Sequence, residues 1–511
     1  MVLSIIPREY QQKIFDTCKE KNTLVVLPTG LGKTLIAVLL AIERLKKYPL
    51  KKILFLAPTK PLVEQHYHYF KKNLPELFAD IQLFTGEVKA EKRKEIWQTA
   101  EIILSTPQCI ANDLDHMLYD LTNISLLIID EAHRCLKNYD YTKIVSKYKN
   151  TASSQRILGL TASPGSDPAI IAEICTHLDI ETIELRTRDS EDVVPYVQEI
   201  EFEKIEIPFP LEFVEIKILL KRIWDSKVEQ LKNRHLLFAP ANKITLLNLQ
   251  KKLAAQASPS NFNALVGMSL TAQAIKISHA QELLETQTLS GLRAYLDGLI
   301  QQAKDKKTKG VQTLVNSAEF QAANLSLNTI MNKGMEHPKI QTVTDIITKQ
   351  IAENPKSKSI VFSQFRETAN VIAKSLNQIP GARAAIFIGQ ANKGKDNAGL
   401  SQKEQKEVIE KFKTGEINVL CSTSIGEEGL DIPEVNSVVF YEPIPSAIRK
   451  IQRTGRTARL SKGKLIILIT KDTRDEISHY ASNAREKKMY KTIHSIKHDM
   501  DHKPKTLLDF K

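Results

Sequence analysis

The stretch Leu24-Val-Val-Leu-Pro-Thr-Gly-Leu-Gly-Lys-Thr34 admits few folds. Leu24 to Leu27 is a short apolar run rich in β-branched residues, Gly30 and Gly32 let the backbone turn back, and Lys33-Thr34 open an amphipathic pattern that runs to Leu45. Strand, glycine loop and helix in that order aim successive amide N–H groups and a helix N-terminus at one point, which is what the phosphates of a nucleoside triphosphate need. Pro28, Thr29, Gly30, Leu31, Gly32, Lys33 and Thr34 are therefore the expected ATP-binding loop. Lys33 can reach the β and γ oxygens, and the Thr34 hydroxyl can hold Mg²⁺. Leu27 stands where the strict phosphate-loop pattern has its first glycine.

Upstream, Gln11 lies at the start of a helical pattern, and its amide offers the donor and acceptor that match the N6/N7 edge of adenine. Downstream, apolar runs end repeatedly in Thr/Pro or Thr/Gly turns: Ile53 to Ala57 before Pro58-Thr59, Ile81 to Phe84 before Thr85-Gly86, and Ile102 to Ser105 before Thr106-Pro107. Such turns expose N–H groups and hydroxyls at the carboxyl edge of an open α/β sheet, a surface suited to the phosphates of a nucleic-acid strand. The wholly apolar Leu126 to Ile129 then delivers Asp130-Glu131-Ala132-His133. That places Asp130 as the Mg²⁺ ligand, through its waters, and Glu131 as the base that polarises the attacking water. Arg156 to Leu160 runs into Thr161-Ala162-Ser163, which with His133 is the expected link between hydrolysis and strand contact.

Pro-Thr-Gly-Leu-Gly-Lys-Thr, Asp-Glu-Ala-His and Thr-Ala-Ser in this order resemble the first motor domain of a superfamily 2 DEAH-box helicase. The second half resembles the second such domain, with apolar strands at Ser359–Ser363, Ala385–Gly389, Val419–Thr423, Val438–Tyr441 and Leu465–Ile469. Gln452-Arg-Thr-Gly-Arg456-Thr-Ala-Arg459 matches the family's QRxGRxxR motif. The resemblance implies that Arg456 and Arg459 are arginine fingers, that Gln452 faces the γ-phosphate, and that Gly429 and Asp431 lie near the nucleotide. It further implies that Ser363, Gln364 and Thr423 contact the strand. A guanidinium supplied from a second domain makes hydrolysis depend on domain closure.

Between the motor halves the apolar spacing is helical, as in Phe213 to Trp224 and Leu283 to Leu299. An all-helical insert at this place resembles the helicase part of archaeal Hef and its Fanconi-anaemia M and Mph relatives, in which it grips branched DNA. The expected class is thus α/β: two RecA-like domains, parallel sheets flanked by helices, with an all-helical insert between them. The expected division is residues 1–200 (ATP-binding RecA-like domain 1), 201–333 (insert, binding DNA structure), 334–484 (RecA-like domain 2) and 485–511 (a basic, DNA-facing tail). A sliding-clamp peptide at Lys505–Phe510 is a weaker expectation. Hef proteins commonly continue into a nuclease of the XPF type; the motifs here end with the second motor domain, so a separate nuclease is an expected partner.

The formal charge of +13 suits a polyanionic partner, and no apolar run reaches membrane length. The five cysteines lack metal-binding spacing and read as reduced thiols, with a cytoplasmic, nucleoid-associated location expected. The function expected is an ATP-dependent helicase or translocase that remodels stalled forks and Holliday junctions in DNA repair. The alternatives are a duplex-RNA-dependent ATPase of the RIG-I/Dicer type and an ATP-gated junction clamp that recruits a nuclease.

Overall fold

Short strands with nearly every side chain buried need helices on both faces, and the first seven strands are each separated from the next by a helix. The computed structural model describes residues 6–502 except 75–77, 138, 259–260, 391–398, 425–431, 445, 447–452, 454–456 and 458–461. Strands β1 (Thr23–Val26), β2 (Lys52–Leu56), β3 (Ile81–Phe84), β4 (Ile102–Ser105), β5 (Ile124–Asp130), β6 (Ile157–Thr161) and β7 (Thr182–Leu185) form one parallel sheet in the order β3-β4-β2-β5-β6-β1-β7. Helices α1 (Glu9–Glu20), α2 (Lys33–Lys47), α3 (Lys60–Asn73), α4 (Ala90–Thr99), α5 (Pro107–Asp115), α6 (Asp140–Thr151) and α7 (Pro168–His177) intervene. In register, Val26 faces Thr161 and Leu160 faces Asp130. The ends of β1, β6 and β5 therefore lie side by side at one sheet edge.

A second parallel sheet has the order β10-β11-β9-β12-β13-β8. It comprises β8 (Ile200–Ile207), β9 (Ser359–Phe362), β10 (Ala384–Phe387), β11 (Val419–Ser422), β12 (Ser437–Phe440) and β13 (Gly463–Thr470). The expected division is corrected here. That division places β8 almost wholly in the insert, yet the strand pairs along its whole length with β13, from Ile200 against Gly463 to Ile207 against Thr470. The sequence Ile-Glu-Phe-Glu-Lys-Ile-Glu-Ile suits a sheet edge, because its exposed charges pair across the strands, as in Lys464 to Glu203 at 2.6 Å and Lys471 to Glu206 at 2.9 Å.

Between β8 and β9 run α8 (Val214–Asn233), α9 (Lys243–Gln256), α10 (Phe262–Thr286), α11 (Leu289–Lys304), α12 (Lys309–Val315) and α13 (Ala318–Asn332). Leu220, Ile277, Leu284, Leu292, Leu296, Phe320 and Leu327 form one buried core, so this segment is a helical bundle. Helices α14 (Lys339–Glu353), α15 (Arg366–Leu376) and α16 (Gln402–Thr414) complete the second motor domain.

The last helix, α17 (Arg474–Asp501), corrects a second expectation. Residues from 485 onward were read as a solvated basic tail. Instead Met489 and Ile493 are fully buried in the core of the first motor domain, with Ile496 and Met500 packed against it. The spacing 489, 493, 496, 500 is an apolar helical seam inside a basic composition. The clamp-like residues 505–510 lie outside the described residues. Among the described residues, no helix is long and apolar enough to cross a membrane.

Where insert and second motor domain meet, charged groups are buried together. Lys339, with no exposed surface, donates to Asp475 and, at 3.1 Å, to Thr286 O. Gln287 donates to Glu442 at 3.3 Å and accepts from Thr368 Oγ1 at 2.9 Å. Burial pushes the Glu442 carboxyl from 4.5 up to about 7, against the pull of Lys339 and Arg453. The folded chain then binds more protons than the unfolded chain between those values, so this group's contribution to stability falls as pH rises through that window. Glu442→Gln removes the titration. Urea denaturation should find the variant gaining on the parent chain between pH 4.5 and 7; a constant difference across that range would mean that Glu442 titrates normally.

Candidate ATP site and strand-binding edge

Helix α2 starts at the turn made by Gly30 (φ +89°) and Gly32 (φ +81°), left-handed conformations that exclude most side chains. Space reinforces the second: a Cβ at Gly32 would sit 2.3 Å from Gln11 Nε2. The start of α1 grips this loop. Tyr10 OH and Gln11 Nε2 both donate to Leu31 O, at 2.8 and 3.1 Å, and Gln11 Oε1 accepts from Arg8 N at 2.9 Å. Gln11, expected to read adenine, is thus also a prop of the phosphate loop. Gly32→Ala should cost about 1–2 kcal/mol from the left-handed backbone alone, and should weaken ATP binding by displacing Gln11. Thermal melts and nucleotide titration check both, and an unchanged affinity would separate Gln11 from the loop.

Lys33 Nζ donates to Leu27 O at 2.8 Å, at the place of the missing first glycine. Thr34 and Asp130, the two expected metal residues, meet across a ring that the sequence did not single out. His66 of α3 lies with Nδ1 3.4 Å from Thr34 Oγ1 and Nε2 2.8 Å from Asp130 Oδ2. Burial pushes the Asp130 carboxyl up, but the charges of His66 and Lys33 outweigh it and hold the group below its ordinary value. A carboxylate and a hydroxyl of this kind are hard oxygen ligands that fit Mg²⁺.

Glu131 follows at φ 50°, a left-handed position unusual for glutamate and typical of strain kept at a working site. Its buried Oε2 accepts no hydrogen bond, and the His133 ring lies beside it with Nδ1 at 3.2 Å. The same His133 nitrogen lies 3.1 Å from Thr161 Oγ1, which accepts from Ser163 N and donates to Ser163 O, each at 3.1 Å. His133, Thr161 and Ser163 are thus brought together, and Ser163 Oγ continues to Met489 Sδ of α17 at 2.8 Å.

Thr59 stands just before α3 and Thr106 just before α5, neither bonding the helix end through its side chain, and Thr85-Gly86 follow β3, so these turns line one sheet edge with Pro58 buried behind them. Thr59, Gln364 and Thr423 line a single cavity of about 860 Å³ between the motor domains. Ser363 is buried beside it and donates to Phe365 O at 3.0 Å. Gly429, Asp431, Gln452, Arg456 and Arg459 lie outside the described residues. Of that motif, Arg453 and Thr457 are described. Arg453 is buried, with its guanidinium 4.7 Å from the Phe362 ring centre and 5.8 Å from that of Phe440, and Thr457 Oγ1 donates to Val435 O at 2.7 Å. Besides His66, sequence reasoning missed Glu442 and Met489; the Tyr-Glu-Pro run after β12 was the available signal for Glu442.

Comparison with known proteins bears on this geometry. Residues 8–171 match the DEAD/DEAH box helicase family and 338–461 the helicase conserved C-terminal domain. Residues 212–332 match the helical bundle described for an ATP-dependent RNA helicase family. The solved helicase domain of Pyrococcus furiosus Hef is 43% identical, with a TM-score of 0.71, over 94% of this chain and 100% of that one. The chain belongs to the Hef family of superfamily 2 helicases. Among curated relatives of this family, the Methanocaldococcus jannaschii protein named as an ATP-dependent RNA helicase is 39% identical over 96% of the chain and 61% of its own length. The Neurospora crassa ATP-dependent DNA helicase mph1 is 32% identical over 92% and 41%. The mouse Fanconi anemia group M protein homolog is 32% identical over 95% and 26%. The chain therefore spans between about a quarter and three fifths of these relatives. Membership of this family makes the chain an ATP-dependent helicase, with the loop and the Asp130-Glu131 pair inside the matched DEAD/DEAH box segment.

Proposed function

We propose that this chain is a DNA motor that remodels forks and four-way junctions during repair. Three strand-end turns on one sheet edge, continued by Gln364 and Thr423 into a cavity walled by the helical insert, carry the reading. ATP is held by residues 28–34 with Gln11 behind them. Thr34 and, through water, Asp130 would hold Mg²⁺, which would supply neutralisation of phosphate charge. Glu131 orients and deprotonates the attacking water, and the strain and unpartnered oxygen of this residue suit a base waiting for its substrate. Gln452, Arg456 and Arg459 of the second domain's motif serve the γ-phosphate, so turnover requires closure. His133, Thr161 and Ser163 pass that closure to the strand turns. A separate nuclease, and a sliding clamp at the chain end, are the proposed partners.

The test is the ATPase rate at fixed salt with single-stranded DNA, linear duplex, a three-way fork, a four-way junction and duplex RNA. Salt is held because phosphate-driven affinity falls steeply with it. Stimulation by fork and junction well above linear DNA supports the proposal. Duplex RNA gives the second reading its arm, since the Methanocaldococcus relative carries an RNA-helicase name; RNA as the best activator would replace the DNA reading. Turnover without strand displacement would indicate the ATP-gated clamp.

A further inference from the structure

Helix α3 joins two parts of the first motor domain that the reaction has to connect. It begins directly after Thr59, whose Oγ1 is buried with no hydrogen-bond partner, and about 9 Å further along its axis it carries His66. Val63, His66 and Phe70 form the buried side of the helix, with Val63 and Phe70 packed in a hydrophobic core. The His66 ring is 7% exposed and lies 4.5 Å, centre to centre, from the ring of Phe55 in β2. Packing therefore fixes where its nitrogens point. Facing a carboxylate, Nε2 carries a proton and donates to Asp130 Oδ2 at 2.8 Å, while Nδ1 lies 3.4 Å from Thr34 Oγ1. One ring thus spans the two expected metal residues, which belong to β5 and α2. The outer side of the same helix meets the next strand turn and the second motor domain. Lys60 pairs with Glu87, the residue after Thr85-Gly86, and lies 3.7 Å from Glu64. Glu64 in turn accepts from Lys406 of α16 at 2.8 Å.

We propose that His66 is a positioning residue for Mg²⁺, and that through it α3 carries strand contact at the Thr59 turn to the metal-binding pair. The proposal rests on reading Thr34 and Asp130 as the metal residues and the Thr59 turn as a strand contact. A carboxylate held through Oδ2 cannot swing, which fixes where Oδ1 meets the water of the ion. Groups standing behind metal ligands in this way set the affinity of the site without touching the metal. The strand end of the helix is arranged to respond. A phosphate at the Thr59 turn competes with Glu87 for Lys60, and the resulting shift passes along a hydrogen-bonded helix to the ring. The contacts of His133, Thr161 and Ser163 lie beside Glu131, whereas α3 reaches Asp130. Base and metal pair then answer to the strand by separate routes.

Three variants test this. His66→Phe keeps a ring against Phe55 and removes both nitrogens, and His66→Gln returns an amide donor toward Asp130. His68→Phe, at the exposed histidine of the same helix, is the control. Titration with a fluorescent ADP analogue at stepped Mg²⁺ concentrations reads metal binding without turnover. The Mg²⁺ needed for half of the affinity gain should rise roughly ten- to a hundredfold in His66→Phe and stay near the parent value in the other two. Affinity for the analogue in EDTA should be the same in all four proteins, as should affinity for a labelled oligothymidylate by anisotropy. At saturating Mg²⁺, that oligonucleotide should stimulate the ATPase of His66→Phe several-fold less than that of the parent chain. Parent-like Mg²⁺ dependence in His66→Phe, or no recovery in His66→Gln, would overturn the positioning role. Weaker analogue binding already in EDTA would overturn it too, by showing that the ring only supports the phosphate loop. Full stimulation of His66→Phe by the oligonucleotide would overturn the route from strand to metal. Failure of the underlying readings shows in the parent chain itself, as analogue binding that ignores Mg²⁺ or turnover that ignores the oligonucleotide.

Discussion

Lys33→Ala is expected to lower ATP turnover on the order of a thousandfold while leaving the fold intact. The magnitude follows from removing a charge aimed at the site where negative charge develops on the phosphates. The fold survives because Lys33 is half-buried and donates to a loop carbonyl, Leu27 O, rather than packing in a core. A net loss of about 1 kcal/mol or less is expected from that bond. Glu131→Gln makes the informative contrast, since it should retain ATP binding and lose turnover, whereas Lys33→Ala should lose both. Nucleotide titration beside steady-state rates distinguishes them. An active Lys33→Ala protein would remove the phosphate role from this lysine, whatever the loop around it resembles.

Lys339→Ala carries the largest expected loss of stability, about 3–5 kcal/mol, because it strands a charge that has left water. Asp475 is 2% exposed and would keep Thr470 N, at 3.0 Å, as a donor after losing its lysine. Burial already pushes the Asp475 carboxyl up, with Lys339 opposing that rise. Without the lysine the carboxyl rises further, and the variant's deficit should shrink as pH falls and Asp475 takes a proton. A Lys339→Met, Asp475→Leu double variant should be less damaged than Lys339→Ala, because it buries no unpaired charge. Urea unfolding of the three proteins decides the matter; a loss under about 1 kcal/mol would mean that water reaches the pair.

The layout of the candidate site is legible in the sequence because most of its described residues follow the ends of apolar strands, where local pattern and position coincide. Leu126 to Ile129 predicted both a buried strand and the place of Asp130-Glu131, and the glycines at 30 and 32 announced their own turn. What escaped was set by distant contacts. His66 is one of two histidines in α3, and nothing local tells it from His68; only the fold brings its ring between Thr34 and Asp130. Strand β8 looked like the entry to the insert because its partner lies more than 250 residues later in the chain. The seam on α17 was hidden by the lysines and histidines around it, so composition suggested a surface where spacing indicated a core. Gln11 was read for the adenine edge it could recognise, and the structure adds its hold on Leu31.

The placing of β8 and α17 also bears on how the chain is made. Met489 and Ile493 close the core of a domain whose last strand ends at Leu185, roughly 300 residues earlier. At a synthesis rate of ~5–20 residues per second, that core waits roughly 15–60 s on the ribosome for its final pieces. Meanwhile β8 has emerged without the sheet it belongs to. Neither motor half is thus contiguous in the chain: a cut after residue 207 takes β8 from the second sheet, and a cut before α17 takes Met489 and Ile493 from the interior of the first domain. Completion of the first domain becomes a signal that the second has been translated.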